Sequence, residues 1–146
     1  MLLTLDTNIL YQALKSKTGA SHFISQQARN RRIQIALSVP VFIEYQDVLT
    51  RDLSLKDFEL QLNDVKKFLR FIAYIGKPFE IYFLLRPNLK DEKDNKIVEL
   101  AITSRSDYLI TSNIRDFKTA ELKFDELNVI TPGEFVKLWR DKNVQS

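Results

Sequence analysis

The strongest constraint on the fold is an alternation between two hydrophobic periods. Short apolar runs at residues 2–5, 33–37, 79–83, 108–111 and 128–131 read as buried strands. Between them lie stretches whose apolar residues recur at helical spacing. Ile9, Leu10, Ala13 and Leu14 form one such face, and Phe23, Ile24 and Ala28 another, in a helix over 19–29. A third helix starts at Ser38-Val39-Pro40, with proline tolerated in its first turn, and runs to about residue 50. Phe58, Leu62, Val65, Leu69 and Ile72 predict one long helix over 55–75, ended by Gly76 and Pro78. Further helices are expected over 91–105 and 132–140. Strands this short, alternating with helices, join as a parallel sheet covered on both faces. The expected fold is therefore α/β: a three-layer α/β/α sandwich with a central parallel sheet of four to five short strands, in one domain over 1–146.

Composition narrows the chemistry. The chain has 146 residues, no cysteine and one histidine, His22, which excludes thiolate metal sites, cysteine nucleophiles and multi-histidine centres. Its glycines, Gly19, Gly76 and Gly133, are too far apart for a phosphate-cradling loop. The chain opens Met1-Leu2-Leu3-Thr4-Leu5-Asp6 without the basic segment of a signal peptide. Its most apolar later window, 71–85, is broken by Gly76, Lys77, Pro78 and Glu80, so no membrane span is expected and a cytoplasmic location is. A net charge of +3 and a pI near 9.1 permit a polyanionic partner.

Ligands in open parallel sheets bind beyond the carboxyl ends of the strands. Asp6 ends the first strand, Thr111-Ser112-Asn113 the fourth, and Asp116 follows one turn later. Glu44 shares a helical face with Pro40, Val41 and Val48, and Asp94 one with Ile97, Val98 and Ala101. Each acid alone has a structural explanation. Asp6 can cap a helix, Glu44 can belong to a buried ion pair, and Asp94 can complement a helix dipole. Together they would converge at one end of one sheet. Two carboxylates about 5 Å apart repel by roughly 3 kcal/mol at an effective dielectric near 20. Protons or a cation must offset that repulsion. With oxygen ligands only, the cation is hard, Mg²⁺ or Mn²⁺. Such an ion suits phosphodiester hydrolysis.

These residues fall in four blocks that resemble the PIN domain family, and in particular its VapC-like toxins. Leu3-Thr4-Leu5-Asp6-Thr7-Asn8 is similar to the opening strand and first acid, and Pro40-Val41-Phe42-Ile43-Glu44-Tyr45 to the second. Lys90-Asp91-Glu92-Lys93-Asp94 is similar to the third block, with Asp94 at the metal-binding position, and Asp107 to Phe117 to the last. Many members carry a fourth acid where this chain has Asn113. The resemblance implies an endoribonuclease using one or two Mg²⁺ or Mn²⁺ ions, a cognate antitoxin partner and frequent homodimerisation. It assigns Asp6, Glu44 and Asp94 to catalysis and metal binding, with Asn113 and Asp116 completing the shell. Thr7, Asn8 and Thr111 support that site. Arg115 and Lys93 are the leading RNA-binding residues, with Arg29, Arg31, Arg32, Arg86 and Lys90 as further basic candidates. His22 is read as non-catalytic, and Phe135 and Trp139 as packing residues.

Two rival readings stand beside this one. Asn113 motivates a catalytically weakened RNA-binding module of the same fold. Another acid-pocket α/β phosphohydrolase or a phosphoacceptor domain is the second. A phosphoacceptor wants paired acids after the first strand, and a haloacid-type phosphatase a second Asp where Asn8 stands.

Overall fold

The computed structural model describes residues 1–81 and 92–144. Its elements are β1 (Leu2–Leu5), α1 (Thr7–Lys15), α2 (Ala20–Arg29), β2 (Gln34–Leu37), α3 (Val39–Leu49), α4 (Asp52–Phe58) and α5 (Leu62–Ile75). There follow β3 (Lys77–Pro78), α6 (Glu92–Thr103), β4 (Tyr108–Ile110), a 3₁₀ turn (Ile114–Phe117), α7 (Lys118–Lys123), β5 (Val129–Ile130) and α8 (Pro132–Val144). All five strands are parallel, in the order β3-β2-β1-β4-β5.

Successive strand residues point to opposite faces of a sheet. Leu3, Thr4 and Leu5 in β1, and Ile35, Ala36 and Leu37 in β2, are all buried, so helices cover both faces. This is the expected α/β architecture. One contiguous core runs from Leu3 and Leu5 through Val41, Tyr45, Ile72 and Val98 to Phe117 and Phe135. Burying a single such side chain contributes about 1.5–3 kcal/mol.

The chain winds from β1 out to β3, then returns past β1 to β4 on its other side. That reversal is a topological switch point, where the carboxyl ends of neighbouring strands diverge and leave a crevice. Leu5 pairs with Ile110, which sets Asp6 beside Thr111 at the crevice.

Several elements differ from the sequence expectation. The long helix over 55–75 is two helices, because Glu59 takes a left-handed conformation (φ 57°, ψ 40°) that ends α4. Gln61 and Asp64 then form a reciprocal capping box that restarts the chain as α5. The third strand is Lys77–Pro78 rather than 79–83. Its partner β2 ends at Leu37, so the ladder stops after the Phe79 N–H reaches the Leu37 carbonyl. Tyr82 and Phe83 of that expectation lie outside the described residues, as do Arg86, Lys90 and Asp91. The 3₁₀ turn and α7 were not expected, and the last helix runs on to Val144. Gly76 is required where α5 meets β2, since a Cβ there would lie 2.2 Å from the Leu37 side chain.

Candidate active site

Asp6 caps α1, its Oδ1 accepting from the Thr7 N–H at 2.8 Å. Its Oδ2 accepts from the Thr111 hydroxyl at 2.7 Å and from the Asn8 amide at 3.2 Å. Thr111 is fully buried and also accepts from the Asn113 N–H at 3.1 Å. Asn8 in turn accepts from the Ser112 N–H at 3.3 Å. The ends of β1 and β4 are thus tied together around one carboxylate. Thr7, Asn8 and Thr111 all donate hydrogen bonds to Asp6.

Glu44 arrives from α3. Ser38 caps that helix, its Oγ accepting from the Val41 N–H at 3.4 Å. Tyr45, wholly buried, donates its hydroxyl to the Leu5 carbonyl. This bond anchors α3 on the end of β1 and leaves the adjacent Glu44 at the crevice. The Glu44 side chain is only 16% exposed, and its Oε1 is buried without a hydrogen-bond partner. Lys93 Nζ stands 4.0 Å from that oxygen, close enough for an ion pair and too far for a hydrogen bond.

Asp6, Thr7, Asn8, Glu44, Lys93, Asp94, Asn113 and Asp116 all line one cleft of about 270 Å³. Asp94 comes from the first turn of α6, and Asp116 from the exposed 3₁₀ turn after β4. Of the expected site residues, Thr111 and Arg115 do not line the cleft; Thr111 is buried and bonded to Asp6, and Arg115 is exposed on the 3₁₀ turn. Tyr11, Val48 and Arg51 line it too. Val48 lies one turn beyond Glu44 on α3, where helical periodicity would have found it, whereas Arg51 enters from the junction of α3 and α4. Tyr11 lies one turn beyond Thr7 by the same rule.

The electrostatics follow from burial. Desolvation pushes the Asp6 carboxyl above its ordinary value of 3.8, with Asp116 adding to the rise. Thr111, Thr7 and the Lys93 charge oppose it. Burial likewise raises Glu44 above 4.5, against the Lys93 ammonium.

The donors available here are oxygens: carboxylates, an amide and hydroxyls. A hard divalent ion fits that set, and Glu44, which lines the cleft, holds one buried oxygen without a hydrogen-bond partner. Among the described residues, no three Asp, Glu or His side chains are grouped to hold an ion unaided. An ion here would keep part of its water shell, as Mg²⁺ commonly does. No helix among the described residues is long and apolar enough to cross a membrane.

Comparison with known proteins bears on the fold and the family. A chain from the crystal structure of VapBC2 from Rickettsia felis, bound to a DNA fragment from their promoter, superposes with a TM-score of 0.62. The match is 19% identical in sequence and covers 90% of this chain and 98% of the other. No curated protein matches the sequence. The family model described as PIN domain matches residues 3–115, which hold all but the first residue of β1, β2 to β4, and all the carboxylates that line the cleft except Asp116. With the model spanning most of its length, the chain belongs to the PIN domain family.

Proposed function

We propose that this chain is a VapC-like toxin, an Mg²⁺- or Mn²⁺-dependent endoribonuclease held in check by a cognate antitoxin. The observation that carries the reading is the buried Glu44 oxygen without a hydrogen bond, in a cleft shared with Asp6, Asp94 and Asp116. A fold keeps such a costly group where a cation is to be bound. The likeness to the VapBC2 chain supports the toxin assignment.

In this reading Asp6, Glu44 and Asp94 hold the ion, directly or through water. Bound by these residues, a divalent ion would supply Lewis-acid chemistry at a phosphoryl oxygen and lower the pKa of a bound water. Thr111 and Asn8 fix the orientation of Asp6 through their hydrogen bonds to Oδ2. Asn113 supplies an uncharged amide where many relatives carry an acid, and Asp116 supplies charge one turn later. Lys93 and Arg51, both on the cleft wall, contact phosphate oxygens that flank the scissile bond. Arg115 contacts the strand outside the cleft.

Asp94→Asn tests the reading. It should abolish divalent-dependent RNA cleavage while leaving the circular dichroism spectrum unchanged. Full activity in that variant overturns the assignment. Asn113, an uncharged amide in the cleft, favours one competing reading, a PIN-fold RNA-binding module without nuclease activity. Calorimetry with Mn²⁺ separates them, since that module would bind no ion.

A further inference from the structure

Two segments of the chain carry no acidic residue at all. Residues 20–43 contain Arg29, Arg31 and Arg32, and residues 65–79 contain Lys66, Lys67, Arg70 and Lys77. These seven cations exceed the net charge of +3 for the whole chain, so the remainder is net acidic. The fold brings the two segments together. Arg29 lies over the Phe71 ring at 5.7 Å and Arg31 over the Tyr74 ring at 5.5 Å. Lys77 lies over Phe79 at 5.6 Å, so three of the four cation–π pairs among the described residues belong to this face. All seven cations are exposed, and Tyr74 is 77% exposed.

Arg31 supplies an independent sign. It follows α2 in a left-handed conformation (φ 61°), a place where glycine or asparagine avoids strain. The chain accepts an arginine there, with its guanidinium carbon over the Tyr74 ring. A guanidinium is planar and weakly hydrated, and its fork of donors matches phosphate.

The position is equally specific. Arg29, Arg31 and Arg32 precede β2, and Lys77 begins β3, so this end of the face lies at the amino ends of the strands. The acid cleft lies at their carboxyl ends. On α5, Lys66, Arg70 and Tyr74 recur every fourth residue along one side, spanning about 12 Å. The cations therefore run from the amino ends of β2 and β3 along one side of α5.

We propose that this face is a second nucleic-acid surface, which binds the backbone of single-stranded RNA away from the cleft. The choice of RNA rests on the ribonuclease reading; the polyanion chemistry of the face does not. Arginine forks match phosphates, and an exposed tyrosine offers a ring for base stacking. The face lets the protein hold a long RNA while the cleft engages one phosphodiester.

The test measures binding of a fluorescently labelled single-stranded RNA by anisotropy, in EDTA, with the full chain. The variant Arg29→Gln/Arg31→Gln/Arg70→Gln is compared with a control of equal charge loss, Lys123→Gln/Lys137→Gln/Arg140→Gln. Circular dichroism verifies that both are folded. Losing three phosphate contacts should weaken binding about ten-fold and make the log–log salt slope shallower by about 2. The control should bind as wild type does. Unchanged affinity in the first variant overturns the proposal, as does an equal loss in the control. Displacement of the RNA by polyglutamate at matched charge also overturns it, in favour of an acidic protein partner. Because no cleavage is measured, an inactive chain that shows the expected loss keeps this inference and loses the ribonuclease reading. An active nuclease whose first variant binds normally does the reverse.

Discussion

Thr111→Val removes one hydroxyl and keeps the shape of the side chain. That hydroxyl donates to Asp6 Oδ2 at 2.7 Å and accepts from the Asn113 N–H at 3.1 Å. It also lies 3.4 Å from the Asn8 amide. A hydrogen bond to a charged group contributes about 1.5–3 kcal/mol, and the buried setting of Thr111 keeps water from replacing it. The variant should lose about 2 kcal/mol of stability. At roughly 2–4 °C per kcal/mol for a domain of this size, the melting temperature should fall by about 4–8 °C. Asp6 would keep its bonds from the Thr7 N–H and the Asn8 amide but lose its shortest contact. Loss of a partner that orients a ligand weakens metal binding by about ten-fold or more. The assay is paired: thermal melting in EDTA, and Mn²⁺ titration by calorimetry. Thr111→Ser, which keeps the hydroxyl, should restore most of both. A Thr111→Val protein that melts within about a degree of wild type and binds Mn²⁺ equally well would show that this hydroxyl neither stabilises the fold nor orients Asp6.

Three further outcomes are expected. Glu44→Gln should raise the stability of the metal-free chain at pH 7 by about 1 kcal/mol, because it removes a buried charge whose Oε1 lacks a hydrogen bond. The same change should abolish Mn²⁺ binding, so melting in EDTA and calorimetry should move in opposite senses. In EDTA, wild-type stability should decline as pH rises through the raised pKa values of Asp6 and Glu44, above their ordinary 3.8 and 4.5. In that window the folded chain holds more protons than the unfolded one, so raising the pH favours unfolding. Melting curves of wild type and of Asp6→Asn/Glu44→Gln across that range should converge at low pH and separate above it. Tyr45→Phe strands the Leu5 carbonyl and should cost about 1–2 kcal/mol by chemical denaturation. Its loss of cleavage activity should exceed what the fraction unfolded explains, because α3 carries Glu44.

The acid cleft was legible in the sequence because its residues occupy predictable places. Asp6 and Thr111 follow apolar runs that had to be neighbouring strands, and Glu44 sits on an apolar helical face where a lone carboxylate is costly. Arg51 was less legible, since α3 ends at Leu49 and Arg51 reaches the cleft from the junction with α4. The break at Glu59 carried no signal, because its left-handed conformation falls on a glutamate rather than a glycine. The edge strand β3 was misplaced because the apolar run after Pro78 looked more strand-like than Lys77–Pro78. There the end of β2, a tertiary limit, decided the pairing. The closeness of Lys93 to Glu44 depends on the packing of α3 against α6, which spacing along one chain does not encode.

In the proposed function, the cleft holding Asp6, Glu44 and Asp94 hydrolyses RNA with a divalent ion. A time course of purified protein with cellular RNA, in Mn²⁺ and in excess EDTA, beside Asp6→Asn, tests this. Cleavage products are expected only for wild type and only with Mn²⁺. Equal cleavage in EDTA, or by Asp6→Asn, or no cleavage under any condition, would contradict it.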